Sequence, residues 1–244
     1  MPTHGAMTLA IFHFYELNVL PPEALELIQK AWDRTQDENE IMVDSRSFKI
    51  KRHELLQFSE LQWLGDEVVD FYLNLIVKRS MNDDSNLPKI FAFPMVFFAN
   101  LCSGGYEKVK RYTRKEDVFK KEIWLVPILR QKHWTLVTVD FRNQQIDYCD
   151  SLMGEYKEVF EILLSYMSSE FKDKKNEDFE INGWTFQHKK NIPTQLNGSD
   201  CGIFVCKYAE YVSRRAEFDF DQQDMPHFRK EMVWEILQQR LMNE

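Results

Sequence analysis

Three apolar runs rich in β-branched and aromatic residues, 124–129, 134–141 and 146–149, follow one another with only short polar breaks. Such runs read as consecutive strands, and breaks this short favour antiparallel neighbours. Outside this block the periodicity changes. Residues 20–32 form a short amphipathic helix with Pro in its first turn, and 63–77 contain a helix capped by Asp66 that buries Val68, Val69, Tyr72, Leu75 and Ile76. Further helices are predicted over 155–171, 200–213 and 227–241, with brief strands around Phe48 and over 184–187. The stretch 91–101 reads as a deeply buried segment ending in a turn at Gly104-Gly105, and the basic stretch 108–121 as solvated surface. Helices, then strands, then helices, without regular strand–helix alternation, describe an α+β fold. A Gly-rich phosphate loop is absent from the sequence.

A chain of 244 residues, 44% of them apolar, can bury a sizeable core in one large domain or two lobes. Its formal charge of −8 argues against a whole-surface nucleic-acid binder. Residues 1–45 hold eight acidic and two basic side chains, so they read as an acidic extension ahead of a nearly neutral body over 46–244. The run 91–101 is broken by Pro94 and Asn100 and falls short of the roughly 20 apolar residues of a membrane span. Cys102, Cys149, Cys201 and Cys206 form no CxxC pair, which suits a reducing compartment. With neither HExxH nor an EF-hand loop, no metal and no cofactor are expected.

The chemistry is concentrated at Asn197-Gly-Ser-Asp-Cys-Gly-Ile-Phe-Val205. Gly198 permits a tight turn, Ser199 or Asp200 can cap the next helix, and Cys201 then lies in its first turn, where free N–H groups favour a thiolate. Gly202 leaves the backbone beside the sulfur unobstructed. Taken alone, Cys201 reads equally as a small core residue. A second element joins it: if the chain reverses between Phe141 and Arg142, His133 directly faces Asp150 on one face of a hairpin. A carboxylate there fixes the imidazole tautomer and stabilises the imidazolium. Separately these are an edge-strand histidine and a turn aspartate; with Cys201 they make a Cys-His-Asp nucleophilic site.

The sequence resembles the Ulp1/SENP family of SUMO-specific cysteine proteases, distant relatives of the adenovirus-type protease. The resemblance is carried by His133-Trp134, Tyr148-Cys-Asp-Ser151, Gln195 and Gly198-Ser-Asp-Cys-Gly202. Trp63-Leu64 with Asp66, Tyr112-Thr113, Val126-Pro127-Ile128, Asn182-Gly-Trp184 and Met225-Pro-His-Phe-Arg-Lys230 extend it over roughly residues 45–242. It implies a papain-like fold with a central mixed sheet flanked by helices, Cys201 as nucleophile, His133 as general base and then acid, Asp150 as its orienting partner, and Gln195 as an oxyanion donor. Trp63 and Trp134 match the tryptophans over a Gly-Gly tunnel, and Phe48 and Asp66 match the surface that grips the folded modifier. Gly65 stands where many relatives carry asparagine. The implied partners are SUMO and its conjugates, bound by a monomeric catalytic domain in the nucleus or at its envelope, with a cytoplasmic pool as the alternative, and without nucleic acid or a membrane span. Cleavage of another ubiquitin-like modifier, a non-catalytic modifier-binding module and acyl transfer through the same thioester remain open readings of the residues.

Overall fold

A computed structural model describes residues 17–59, 61–82 and 86–243; residues 1–16, which belong to the expected acidic extension, lie outside the described residues. The chain begins with helix α1 (Pro22–Ala31), a hairpin of strands β1 (Ile41–Asp44) and β2 (Lys49–Lys51), and helices α2 (Arg52–Leu56) and α3 (Asp66–Ser80). Strand β3 (Ile90–Ala92) and helix α4 (Val96–Val109) lead into β4 (Ile123–Arg130), β5 (His133–Asp140) and β6 (Gln145–Cys149). Helix α5 (Val159–Lys175), strand β7 (Thr185–His188) and helices α6 (Cys201–Ser213) and α7 (Met225–Gln238) complete it.

Strands β3 to β7 form one five-stranded sheet in sequence order. The outer pairs β3–β4 and β6–β7 are parallel and the inner pairs antiparallel, so the sheet is mixed as expected. Side chains alternate across it. Ile123, Leu125, Trp134 and Leu136 pack with α3, α6 and α7 on one face, whereas Trp124, Val126, Val137 and Val139 pack with α4 and α5 on the other. Among the described residues no helix is long and apolar enough to cross a membrane.

Helix α6 sets the position of the site. Ile203, Phe204, Val205, Cys206, Tyr208 and Ala209 are all buried, and so are Lys207 and Glu210, which pair with Glu231 and Arg79, so the helix runs inside the molecule, between the sheet and helices α3 and α7. Its N-terminus emerges at the end of the sheet where β5 begins and β6 finishes.

Several sequence expectations shift. The β5–β6 turn spans residues 141–144, so Asp140 pairs with Gln145 and Leu136 with Cys149. The register is therefore displaced by two residues from direct opposition of His133 and Asp150. The buried run 91–101 divides into the end of β3 and the start of α4, and Gly104-Gly105 is a kink in that helix, with Gly105 at φ 63°, rather than its end. Helix α5 starts four residues later than predicted, at Val159. Phe48 lies just ahead of β2, whose partner β1 was not anticipated. Within the expected extension, Ala24, Ile28 and Ala31 of α1 are buried, and α1 lies against α7 and α2. The residue in the N-cap position of α3 is Gly65, which provides no side-chain cap; Asp66 is the first helical residue.

Candidate active site

His133 owes its place to a two-residue turn. Gln131 and Lys132 both have positive φ, 52° and 65°, which matches the twist of an antiparallel hairpin and starts β5 at His133. Asp150 follows the last residue of β6. Because the register error is two residues, the side chains still share a face, and the pair meets on the diagonal: His133 Nε2 lies 2.6 Å from Asp150 Oδ1. Asp150 Oδ1 also accepts from the Leu152 N–H at 2.8 Å.

Cys201 is the first residue of α6 and is buried. The His133 ring is held by Asp150 through Nε2, which leaves Nδ1 as the nitrogen open to a thiol. Burial works against the imidazolium, but the hydrogen bond to Asp150 and the influence of the neighbouring Cys201 outweigh it and push His133 up to about 9. Asp150 is also buried, which favours its neutral form, yet His133 and the Leu152 and Gly154 N–H groups hold it below the usual carboxylate range. The other cysteines differ. Cys149 and Cys206 are fully buried, and desolvation pushes both thiols up; Cys102 is exposed on α4.

The loop before Cys201 is tied down by side chains rather than by a helix cap. Asn197 Oδ1 accepts from the N–H groups of Ser199 and Asp200, both at 3.0 Å. Neither expected cap operates at α6: the Asp200 carboxylate instead receives Arg229 Nε at 3.0 Å, Gln222 Nε2 at 2.7 Å and Asn197 Nδ2 at 2.6 Å. Arg229 in α7 thus anchors the residue beside Cys201 through a buried ion pair. Gly198 has no left-handed conformation; its carbonyl accepts the Trp63 indole N–H at 2.5 Å. Gly202 serves close packing, since a Cβ there would lie 2.9 Å from Leu64 Cβ.

The two tryptophans differ in environment. Trp63 is half exposed, with the Lys132 ammonium 5.5 Å from its ring centre, whereas Trp134 is buried and donates its indole N–H to the Leu64 carbonyl at 3.0 Å. The Trp63-Leu64 segment is therefore fastened to the loop before Cys201 and to β5. Gln195 lies on that same loop, buried. Phe48 and Asp66 sit on the α3 side: Phe48 packs edge-on against Phe71 at 5.5 Å, and burial with the nearby Glu67 raises the Asp66 carboxyl.

Residues 62–241 match the family described as the Ulp1 protease family, C-terminal catalytic domain. The chain belongs to the Ulp1 protease family. It is 43% identical over 223 residues to a sentrin-specific protease of Caenorhabditis elegans, covering 91% of this chain and 32% of that protein. Human sentrin-specific protease 2 is 44% identical over 207 residues, covering 84% and 35% respectively. This Ulp1-family chain thus spans about a third of the length of those relatives. The C-terminal protease domain of Ulp1, solved in complex with Smt3, the yeast ortholog of SUMO, superposes with a TM-score of 0.76 at 29% identity, covering 90% of this chain and 96% of that one. The papain-like Ulp1 fold, a mixed sheet flanked by helices, is therefore shared.

One residue of the site carried no sequence signal. A Cβ on Gly154 would lie 2.6 Å from Asp150 Oδ2, so only glycine lets the carboxylate occupy this position. Gly154→Ala is expected to displace Asp150 and lower kcat about 10- to 100-fold, with the fold intact by circular dichroism. Unaltered kcat would show that the contact relaxes without moving the carboxylate.

Proposed function

We propose that this chain is the catalytic domain of a SUMO-specific cysteine isopeptidase that cleaves after the C-terminal Gly-Gly of the modifier, in deconjugation and in precursor maturation. The observation that carries the reading is the 2.6 Å contact of Asp150 with His133, whose pKa Cys201 at the N-terminus of α6 also raises, in a chain more than 40% identical to sentrin-specific proteases. The yeast relative bound to Smt3 supports the choice of modifier.

In this mechanism the Cys201 sulfur, paired with the His133 imidazolium, attacks the carbonyl carbon of the terminal glycine. The negative charge moves to the carbonyl oxygen, where the Gln195 side-chain amide and the Cys201 backbone N–H donate to it. The tetrahedral species collapses, His133 gives its proton to the departing amine, and a thioester remains. Water deprotonated by His133 then attacks the thioester and releases the glycine carboxylate and the sulfur. Asp150 holds the ring throughout and balances its charge. Trp63 over the nucleophile loop would restrict the entering tail to residues without side chains. Phe48 and Asp66 would grip the folded part of the modifier.

The reading is tested with SUMO, NEDD8 and ubiquitin bearing a C-terminal vinyl sulfone, scored by intact mass. A SUMO adduct on Cys201 is expected. Preferential NEDD8 or ubiquitin labelling would reassign the modifier, and no adduct with any probe would leave a binding module as the better account.

A further inference from the structure

The Gln195 amide is not free to turn. Its Oε1 accepts from the Ser151 hydroxyl at 2.5 Å, and its Nε2 donates to the Asn197 carbonyl at 2.6 Å. The two contacts define the orientation of the amide: a carbonyl oxygen can only accept, so the NH2 group must face Asn197, and the Ser151 hydroxyl is left to donate to Oε1. One of the two Nε2 hydrogens is then used by Asn197 and one remains. The backbone repeats the connection, with the Gln195 N–H donating to the Ser151 carbonyl at 2.9 Å. Ser151 itself is buried and follows Asp150 directly, so a single short segment at the end of β6 touches both His133 and Gln195.

The rest of the loop is held from the other side. The Leu196 N–H donates to Gln222 Oε1 at 2.7 Å, and Gln222 Nε2 reaches Asp200. Backbone restraint is thus supplied by Gln222 and by the Asn197 side chain, while the Ser151 hydroxyl and the Asn197 carbonyl hold the two ends of the Gln195 amide. Loss of that hydroxyl would leave Oε1 without its donor in a buried position and the amide held at Nε2 alone, so that it can tilt about its terminal torsion, which has a broad, two-fold profile.

We propose that Ser151 is a positioning residue: its hydroxyl sets the Gln195 amide so that the remaining Nε2 hydrogen is directed at the developing oxyanion. This rests on the reading of Gln195 as oxyanion donor. Ser151 does not touch the substrate; it acts through Gln195 alone.

The test is a double-mutant cycle on SUMO with a C-terminal fluorogenic amide, using Ser151→Ala, Gln195→Ala and both together, with Ser151→Thr as the hydroxyl-retaining variant. Ser151→Ala is expected to lower kcat on the order of 10- to 100-fold with KM within about twofold, and to change kcat less than about twofold when Gln195 is already alanine. Ser151→Thr should restore most of the loss. An equal cost of Ser151→Ala with and without Gln195 would overturn the proposal, because Ser151 would then act by another route. The side-chain amide resonances of Gln195 give a second readout that needs no turnover. Two resolved, slowly exchanging Nε2 protons that merge or exchange faster in Ser151→Ala support the proposal; identical spectra overturn it. A wild-type chain inactive on every modifier would refute the functional reading, while the amide spectra would still decide what Ser151 does.

Discussion

Cys201→Ser is expected to lower kcat/KM by about 10⁴-fold or more while modifier binding stays within about threefold. Serine keeps the shape and a donor, but an alcohol holds its proton far more tightly than a thiol, so a nucleophilic oxyanion is far harder to form beside His133 than a thiolate. The expected modifier-gripping residues Phe48 and Asp66 lie on the α3 side, so the grip should survive. Binding by titration calorimetry and turnover on a C-terminal fluorogenic amide separate the two effects. Cys102→Ser provides the control: it alters an exposed thiol on α4 and should leave turnover unchanged. Turnover by Cys201→Ser within tenfold of wild type would eliminate the nucleophile assignment.

Element types were readable in the sequence wherever one period ran long enough, as in the strands around 124–149 and the apolar run after Cys201. Register was not. The length of the β5–β6 turn depends on which of residues 141–144 leave the ladder, and it is closed at four by the Asp140 carboxylate, which accepts from the Arg142 and Asn143 N–H groups and the Asn143 amide, a polar signal that shorter turns share. An error of two residues preserves the face, which is why His133 and Asp150 were matched correctly although they do not stand opposite one another. Strand β3 was hidden because two of its three residues, Phe91 and Ala92, and the start of α4 share one apolar run, divided at Pro94. Asp200 shows the limit of local patterns. Its place ahead of a helix suits a cap, but Arg229, 29 residues away, claims the carboxylate, and a charged pair in the interior outweighs a cap. Gly154 is the same case at shorter range, since its need to be glycine comes from a carboxylate folded back onto it. The parts of the site visible in sequence are Cys201, His133 and Asp150; the hidden parts are those that hold them in place.

Asp150→Asn is expected to lower kcat/KM by about 10³-fold, within a range of 10² to 10⁴, and to change its pH dependence. The carboxylate offers Oδ1 to His133 Nε2–H and the Leu152 N–H while Oδ2 lies against Gly154. An amide has one acceptor end. If its oxygen stays toward His133, its NH2 opposes the Gly154 N–H; if it turns, a donor faces Nε2 and the ring takes the wrong tautomer. Either way the imidazolium loses its counter-charge. In wild type His133 is pushed up to about 9, so the proton given to the leaving amine is retained to that pH and activity should fall as pH rises through about 9. Without the carboxylate, burial of the ring is less opposed, His133 titrates lower, and the alkaline limb moves to lower pH. Stability follows the same linkage. The contribution of a raised histidine is complete below its ordinary 6.5 and disappears as pH rises through about 9, and that of a lowered aspartate is present above 3.8. Denaturant titrations should therefore show the largest destabilisation by Asp150→Asn between those two values and a smaller one above pH 9. A variant with kcat/KM within tenfold of wild type and an unmoved alkaline limb would show that Asp150 neither orients nor charges His133.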